Sequence, residues 1–148
     1  VVQTSSKSRS LAGMRIGYAF GSETLISTLE AVKNSYNSYT MDSLALAVGE
    51  ASIRDEAYFR ETCRKVAATR DRAADELRAL GFEVTPSLAN FLFATHPKKA
   101  APEIFSALRE KGIFIRYFKL PRIDNHLRIT VGTDEQMDAL IAALKQIL

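Results

Sequence analysis

The residues best suited to chemistry lie in a short run near the N-terminus, TSSKSRSLAGMR. Its lysine, Lys7, could form an imine with a carbonyl compound once its amine has lost a proton. Hydroxyl groups lie beside it at Thr4 and Ser6, and Arg15 comes two positions after Gly13. Hydroxyls, backbone amides and a guanidinium fork are the donors that hold a phosphate group. The run therefore favours a site for a phosphorylated carbonyl compound over a solvated basic loop.

Two later arginines interrupt apolar segments, Arg116 in IFIRYF and Arg128 in HLRITV. An unpaired charge inside an apolar strand is costly, so each guanidinium should meet either an anion or the solvent at a strand end. Asn37 lies in the polar, turn-forming segment NSYNSYT. It is a candidate for lining a pocket and equally a candidate for an ordinary turn.

The composition excludes several function classes. The 148 residues carry 20 basic and 17 acidic side chains, spread along the chain, and the net charge of +3 does not favour a nucleic-acid partner. No apolar stretch reaches the roughly 18 residues that a membrane span requires. His96 and His126 have no companions at ligand spacing, which predicts surface histidines and no metal site. Cys63 is the single cysteine and lies on an apolar helix face, which predicts a buried thiol and fits a reducing cytoplasm.

The elements that must position these residues follow from the hydrophobic periodicity. Alternation from Met14 to Phe20 predicts a strand, and helices are predicted from Ser22 and from Met41 to Ile53. Apolar residues then recur at steps of three and four up to Leu80, which predicts one long helix closed by Gly81.

The remaining segments predict a sheet covered by helices. Strands are expected in FEVT, ANFLFAT, IFIRYF and HLRITV. One helix should end at Gly112, and a capping box of Thr133 and Gln136 should begin the last helix. From Asp55 onward the order is helix, strand, strand, helix, strand, strand, helix, which predicts an α/β or α+β unit. The first 50 residues look like the edge of a larger domain.

Five segments taken together resemble a known family. They are SKSRSLAGMRIGYAFG, KNSYNSYTMDSLA, PSLANFLF, GIFIRYF and LRITVGT, in that order along the chain. They are similar to segments of the fold-type I pyridoxal-phosphate enzymes, and within these most similar to the histidinol-phosphate aminotransferase group. The resemblance covers essentially all of the chain.

This resemblance implies pyridoxal 5′-phosphate as the cofactor and assigns roles in the lysine run. Lys7 would form the Schiff base with the cofactor aldehyde and later move the substrate proton. Ser6 and Arg15 would hold the cofactor phosphate, with Thr4 near enough to assist.

For the substrate, the resemblance implies an anionic amino compound, most specifically histidinol phosphate in histidine biosynthesis, and a second molecule that accepts the amino group. Arg116 and Arg128 would receive the anionic ends of the substrate, and Asn37 would line the pocket. A cytoplasmic homodimer without nucleic-acid or membrane partners is implied as well.

The expected fold is α/β, the C-terminal part of a fold-type I transferase. Residues 1–54 would be an incomplete portion of the large cofactor domain, and residues 55–148 the small domain with a mainly antiparallel sheet, entered by the long helix. The family's acidic partner of the cofactor ring, its glycine-rich loop and its stacking aromatic lie upstream of the lysine. We therefore expect little or no transaminase activity from these 148 residues alone.

Several alternatives remain open from the sequence. Within the same scaffold, these are a pyridoxal-phosphate-dependent decarboxylase of a phospho-amino acid and an aromatic amino acid aminotransferase. From other classes, these are a non-catalytic interaction module formed by residues 55–148 and a nucleic-acid binder that uses the basic loop.

Overall fold

The computed structural model describes residues 1–148 and divides them into two compact units, Val1–Cys63 and Arg64–Leu148. The first unit opens with a two-stranded hairpin, and helices follow. Its elements are β1 (Val2–Thr4), a 3₁₀ turn (Ala12–Met14), β2 (Gly17–Ala19), α1 (Glu23–Tyr36), α2 (Ser43–Arg54) and the first turns of α3 (Glu56–Ala79).

The hairpin is shorter on its second strand than the alternating pattern predicts. β1 and β2 pair antiparallel, with Val2 opposite Ala19 and Thr4 opposite Gly17. The predicted strand from Met14 to Phe20 is therefore wrong over its first residues. Met14 belongs to the 3₁₀ turn and Arg15 has a left-handed backbone, so pairing cannot begin before the chain has left this turn.

The hairpin packs on α2 through small residues. Asp42 caps this helix by accepting a hydrogen bond from the Ala45 amide at 2.7 Å, and Ala45 is buried. A Cβ added to Gly49 would lie 3.1 Å from the end of the Ile16 side chain, so glycine at this position lets α2 lie close to the hairpin without a shift of that side chain.

The second unit is a four-stranded antiparallel sheet with helices. Besides the rest of α3, it contains β3 (Glu83–Val84), β4 (Phe91–Thr95), α4 (Ala101–Glu110), β5 (Arg116–Tyr117), β6 (Leu127–Thr130) and α5 (Asp134–Ile147). The strand order is β3-β4-β6-β5. The predicted order of elements, the α/β fold and the antiparallel sheet are confirmed. Gly81 and Gly112 follow their helices with φ of 90° and 75°, the left-handed conformation expected of C-terminal glycines.

One face of the sheet forms the core of the second unit. Alternate residues of β4 and β6 point into it, namely Leu92 and Ala94 from one strand and Leu127 and Ile129 from the other. The apolar faces of α3, α4 and α5 complete it, with Leu77, Ile104, Leu108, Leu140 and Leu144 all buried. Full burial of such a side chain stabilises a fold by about 1.5–3 kcal/mol, so this core is what holds the sheet.

The polar rim of the core joins α3 to α5. The Arg72 guanidinium donates to Asp134 at 2.9 Å, to Asp138 at 2.7 Å and to Glu76 at 3.0 Å. These bonds raise the pKa of Arg72, with the bond to Asp134 contributing most. The same bond, helped by one from Thr69, lowers the pKa of Asp134. The predicted capping box of α5 is present, since Thr133 and Gln136 each accept a backbone hydrogen bond from the other.

Two predictions of burial are wrong. Cys63 is half-buried, because the residues of α3 that are fully covered begin only at Thr69. His96 is buried, and its ring packs edge-on against Phe82 with 5.0 Å between the centroids. The positive φ of Gly81 and its missing side chain let this imidazole approach, since a Cβ there would lie 3.2 Å from Nε2.

No helix in the structure combines the length and the apolar character that crossing a bilayer requires.

Candidate functional site

The lysine run forms the closed end of the β1–β2 hairpin. The Ser5 amide donates to the Ile16 carbonyl at 3.1 Å, which adds one more rung beyond the paired strands. The Leu11 amide returns to the Ser5 carbonyl at 3.0 Å, and the Ser10 amide donates to the Lys7 carbonyl at 3.0 Å. The backbone around Lys7 is therefore tied at several points, while the lysine side chain itself is exposed.

The hydroxyl groups before the lysine are hydrogen-bonded to each other. Thr4 Oγ1 donates to Ser6 Oγ at 2.9 Å and accepts from the Ser6 amide at 3.1 Å. This local turn places both hydroxyls together at the start of the loop, and the side chain of Ser6 retains hydrogen-bonding capacity.

Ser6 follows Ser5 and Arg15 precedes Ile16, so the two residues lie on opposite arms of the loop, next to the last hydrogen bond of the hairpin. The backbone of Arg15 is left-handed, with φ 56° and ψ 35°, which is unusual for a residue other than glycine. Its guanidinium donates to the Ala12 carbonyl at 2.9 Å and is otherwise exposed. Non-glycine residues in this conformation are strained and concentrate at functional sites. Thr4, Ser6, Lys7 and Arg15 are thus brought to one end of one hairpin.

From the sequence, Arg9 has a role only in the nucleic-acid alternative, beside Lys7 and Arg15, and in the structure it makes the most contacts of any side chain of the loop. Its guanidinium donates to the Ser52 carbonyl, lies 3.5 Å from the Glu56 carboxylate, and stacks on the Phe59 ring with 3.8 Å to the centroid. No spacing in the sequence could have indicated these partners, because they lie more than forty residues away.

Beside this loop, the first unit carries an apolar groove of about 740 Å³ between β2 and α2. Its lining comes from Ile16, Tyr18 and Phe20 on the hairpin side and from Met41, Leu46 and Ile53 on the helix side. Arg9 lies at its rim together with Glu50 and Arg54.

Asn37 ends α1 in the same unit. Its side-chain oxygen accepts a hydrogen bond from the Tyr39 amide at 3.0 Å, and the residue is exposed. The observed contact is that of a turn-forming asparagine.

The two remaining arginines of the predicted site, Arg116 and Arg128, lie on neighbouring strands of the sheet in the second unit. Arg116 of β5 is directly opposite Arg128 of β6 in the strand register, so both occupy the face of the sheet away from the core. The Arg128 guanidinium lies over the Phe91 ring at 4.2 Å, and that of Arg116 lies 5.5 Å from the Phe118 ring. Aromatic faces hold both cations without neutralising them.

His126 shares this face of the sheet, two positions before Arg128. Its ring stacks on Phe93 with 4.7 Å between centroids and 7° between planes. His126 is half-buried, so it is less exposed than the surface histidine that the sequence predicts, and its Nδ1 atom is buried without a hydrogen-bond partner. The face thus combines two guanidinium groups with an imidazole, which suits an anionic ligand.

Comparison with known proteins agrees with this fold. The sequence pattern of the family "Aminotransferase class I and II" matches residues 1–144. A histidinol-phosphate aminotransferase 2 of Dechloromonas aromatica (strain RCB) is 58% identical over 147 residues, which are 99% of this chain and 41% of that protein. The histidinol-phosphate aminotransferase of Marinomonas sp. (strain MWYL1) is 56% identical over 98% of this chain and 42% of its own length. The chain therefore spans about two-fifths of the curated relatives that it matches.

A solved structure is similar over the same extent. The crystal structure of histidinol-phosphate aminotransferase from Sinorhizobium meliloti in complex with pyridoxal-5′-phosphate superposes with a TM-score of 0.86 at 32% identity, covering 99% of this chain and 40% of that one. These findings confirm the resemblance that the five sequence segments indicate. The chain belongs to the class I and II aminotransferase family.

Proposed function

We propose that this chain is part of a pyridoxal-phosphate-dependent aminotransferase that acts on histidinol phosphate in histidine biosynthesis. The observation that carries the proposal is the identity of 58% with a histidinol-phosphate aminotransferase over 99% of the chain, including the lysine loop. The geometry of that loop supports the cofactor, and the arginine pair on the sheet supports an anionic substrate.

The donor set of the hairpin end fits a phosphorylated aldehyde. Thr4 and Ser6 offer two adjacent hydroxyls, and Arg15 offers a guanidinium with a single internal partner. These three side chains would hold the phosphate, and the exposed amine of Lys7 would bond to the aldehyde carbon. When bound, pyridoxal phosphate supplies an electron sink for the charge that develops when the substrate α-carbon loses its proton.

Lys7 then acts as the general acid–base of the reaction. With its amine free, Lys7 would take the proton from the substrate α-carbon and hold it for return later in the transfer. The main-chain hydrogen bonds around Lys7 fix its backbone and therefore the point from which the side chain would reach the substrate.

Arg116 and Arg128 would receive the anionic end or ends of the substrate. Aromatic rings support both guanidinium groups, and neither has an acidic partner of its own in the sheet. Asn37 would line the pocket through the turn that it stabilises.

We extend the proposal to organisation and location. Residues 1–54 would be a portion of the large cofactor domain and residues 55–148 the small domain. The enzyme would be a cytoplasmic homodimer. The apolar side of α1 supports association, since Leu25, Leu29 and Val32 are each more than half exposed and no residue of this helix is buried.

A labelling experiment tests the cofactor site. The purified chain is mixed with pyridoxal 5′-phosphate, reduced with borohydride and mapped by mass spectrometry, with pyridoxal as the matched compound that lacks the phosphate. We expect selective modification of Lys7 by the phosphorylated aldehyde and no selectivity with pyridoxal or in Arg15→Ala. Equal labelling of Lys7 and the other lysines by both compounds would contradict the assignment.

A chimaera tests the reaction. The part of the Dechloromonas relative outside the match is joined to this chain, and turnover is measured with histidinol phosphate, phenylalanine and phosphothreonine. Transfer of the amino group from histidinol phosphate, lost in Lys7→Ala, is the expected result. Preferred turnover of phenylalanine, or release of carbon dioxide from phosphothreonine, would instead favour one of the two rival enzymes.

A further inference from the structure

The loop that carries Lys7 is anchored by one side chain, Arg9. Its guanidinium contacts a backbone carbonyl, a carboxylate and an aromatic ring, at Ser52, Glu56 and Phe59. Only 17% of the Arg9 side chain is exposed, whereas Lys7 two residues before it is exposed. The loop thus combines a free amine with a neighbour that is fixed.

Each partner of Arg9 lies where two helices meet. The Ser52 carbonyl belongs to the last turn of α2, where carbonyl groups lack helical partners and the helix dipole is negative. Glu56 and Phe59 belong to the first turns of α3. One cation therefore satisfies the end of one helix and pairs with the start of the next.

The chemistry of these contacts requires arginine. A guanidinium can donate from several nitrogens at once while its flat face stacks on a ring, and a lysine ammonium cannot do both in this geometry. The guanidinium makes a hydrogen bond, an ion pair and a cation–π contact, so removal of one partner leaves the other two in place.

We propose that Arg9 is a positioning residue that fixes the Lys7 loop against the α2–α3 junction and so sets where the lysine amine meets the cofactor aldehyde. This inference rests on the proposed function for the role of Lys7. The anchor itself does not depend on it, because all of its contacts lie within the first unit. Without the anchor, the turn from Lys7 to Ser10 would be held by main-chain hydrogen bonds alone.

Hydrogen exchange of the cofactor-free chain tests the anchor directly. The amides to follow are those of Ser10 and Leu11, which donate to the Lys7 and Ser5 carbonyls. In Arg9→Ala we expect both to exchange at least about tenfold faster, equivalent to about 1.4 kcal/mol of lost protection. Arg9→Lys should give an intermediate rate.

A matched control removes an arginine that is close by but not an anchor. Arg54 is 78% exposed and pairs only with Glu50 within its own helix. Arg54→Ala should leave both loop amides unchanged. Unchanged exchange in Arg9→Ala as well would overturn the inference. If Arg9→Ala does not fold, Phe59→Leu removes the aromatic face alone and should still accelerate exchange severalfold.

Reductive labelling tests the consequence for the lysine. Each variant is treated with pyridoxal 5′-phosphate and borohydride, and modification of Lys7 is expressed relative to Lys33, an exposed lysine of the same unit. Because unfolded molecules would label both lysines alike and lower this ratio, each variant is labelled under conditions in which its hydrogen exchange outside the loop matches that of the wild-type chain. We expect the ratio to fall about tenfold in Arg9→Ala, to recover in part in Arg9→Lys, and to stay unchanged in Arg54→Ala.

The two ways of failing are distinguishable. A high ratio in the wild-type chain that persists in Arg9→Ala would overturn the positioning role and leave the proposed function intact. A ratio near one in the wild-type chain would overturn the proposed role of Lys7 and with it the cofactor part of this inference, while the exchange data would still decide whether Arg9 anchors the loop.

Discussion

Replacing Arg15 separates the strain of its backbone from the chemistry of its side chain. Arg15→Gly and Arg15→Ala both remove the guanidinium and its hydrogen bond to the Ala12 carbonyl. Only glycine adopts the observed φ of 56° without a steric penalty. The two variants should therefore behave alike toward the cofactor phosphate and differently in stability.

The expected difference can be estimated from general magnitudes. A left-handed conformation costs a non-glycine residue about 1–2 kcal/mol, and the added freedom of glycine in the unfolded chain returns about 0.4–1 kcal/mol of this. The lost hydrogen bond is exposed and common to both variants. Arg15→Gly should consequently be more stable than Arg15→Ala by about 1 kcal/mol, or about 4–8 °C in Tm for a unit of this size.

The assay is urea unfolding of both variants together with the labelling of Lys7. Arg122 provides the matched control, since it has a φ of 74° in the second unit and is also exposed. Arg122→Gly should likewise be more stable than Arg122→Ala, and both should leave the labelling of Lys7 unchanged. If Arg15→Ala proved as stable as Arg15→Gly, the backbone would not be strained and the reasoning would be refuted.

Two further predictions concern the second unit. Hydrogen bonds from Arg72 and then Thr69 hold the pKa of Asp134 below its ordinary 3.8, so their stabilisation is present above pH 3.8 and is lost as the pH falls through the lower folded value. As the pH is lowered from about 6 to about 2, the urea midpoint should therefore drop less steeply in Asp134→Asn than in the wild-type chain. Parallel curves of midpoint against pH for the two proteins would contradict this assignment. Phe91→Leu should remove the cation–π contact of Arg128, and a double-mutant cycle with Arg128→Met should give a coupling free energy of about 0.5–1 kcal/mol. A coupling near zero would show that the ring and the cation act independently.

The sequence predicts the second unit well because its elements are strongly periodic. The stripe of α3, the capping box at Thr133 and the glycines after two helices are local signals, and the structure contains each of them. The lysine loop is harder to predict. Its left-handed turn falls on Arg15, although Gly13 two positions earlier would be the usual choice, and this shortens β2.

The arrangement of the candidate sites depends on contacts that no local pattern encodes. The anchor at Arg9 involves the ends of two helices that lie far along the sequence. The pairing of Arg116 with Arg128 depends on how the connection between β5 and β6 sets the register. His96 lies beside loop signals and is nevertheless buried, because a glycine leaves room for its ring. Residue types could be read from the sequence, but these juxtapositions could not.

The opposition of Arg116 and Arg128 has a thermodynamic consequence. Like charges directly across a pair of strands destabilise the sheet, so the free energy of unfolding of the second unit is smaller while no anion is bound. An anion that bridges the two guanidinium groups would restore it, and the gain would grow with the logarithm of its concentration above the Kd. The melting temperature of this unit would then report on the anion, and a series of carboxylates and phosphates could be ranked by heating alone, without any turnover.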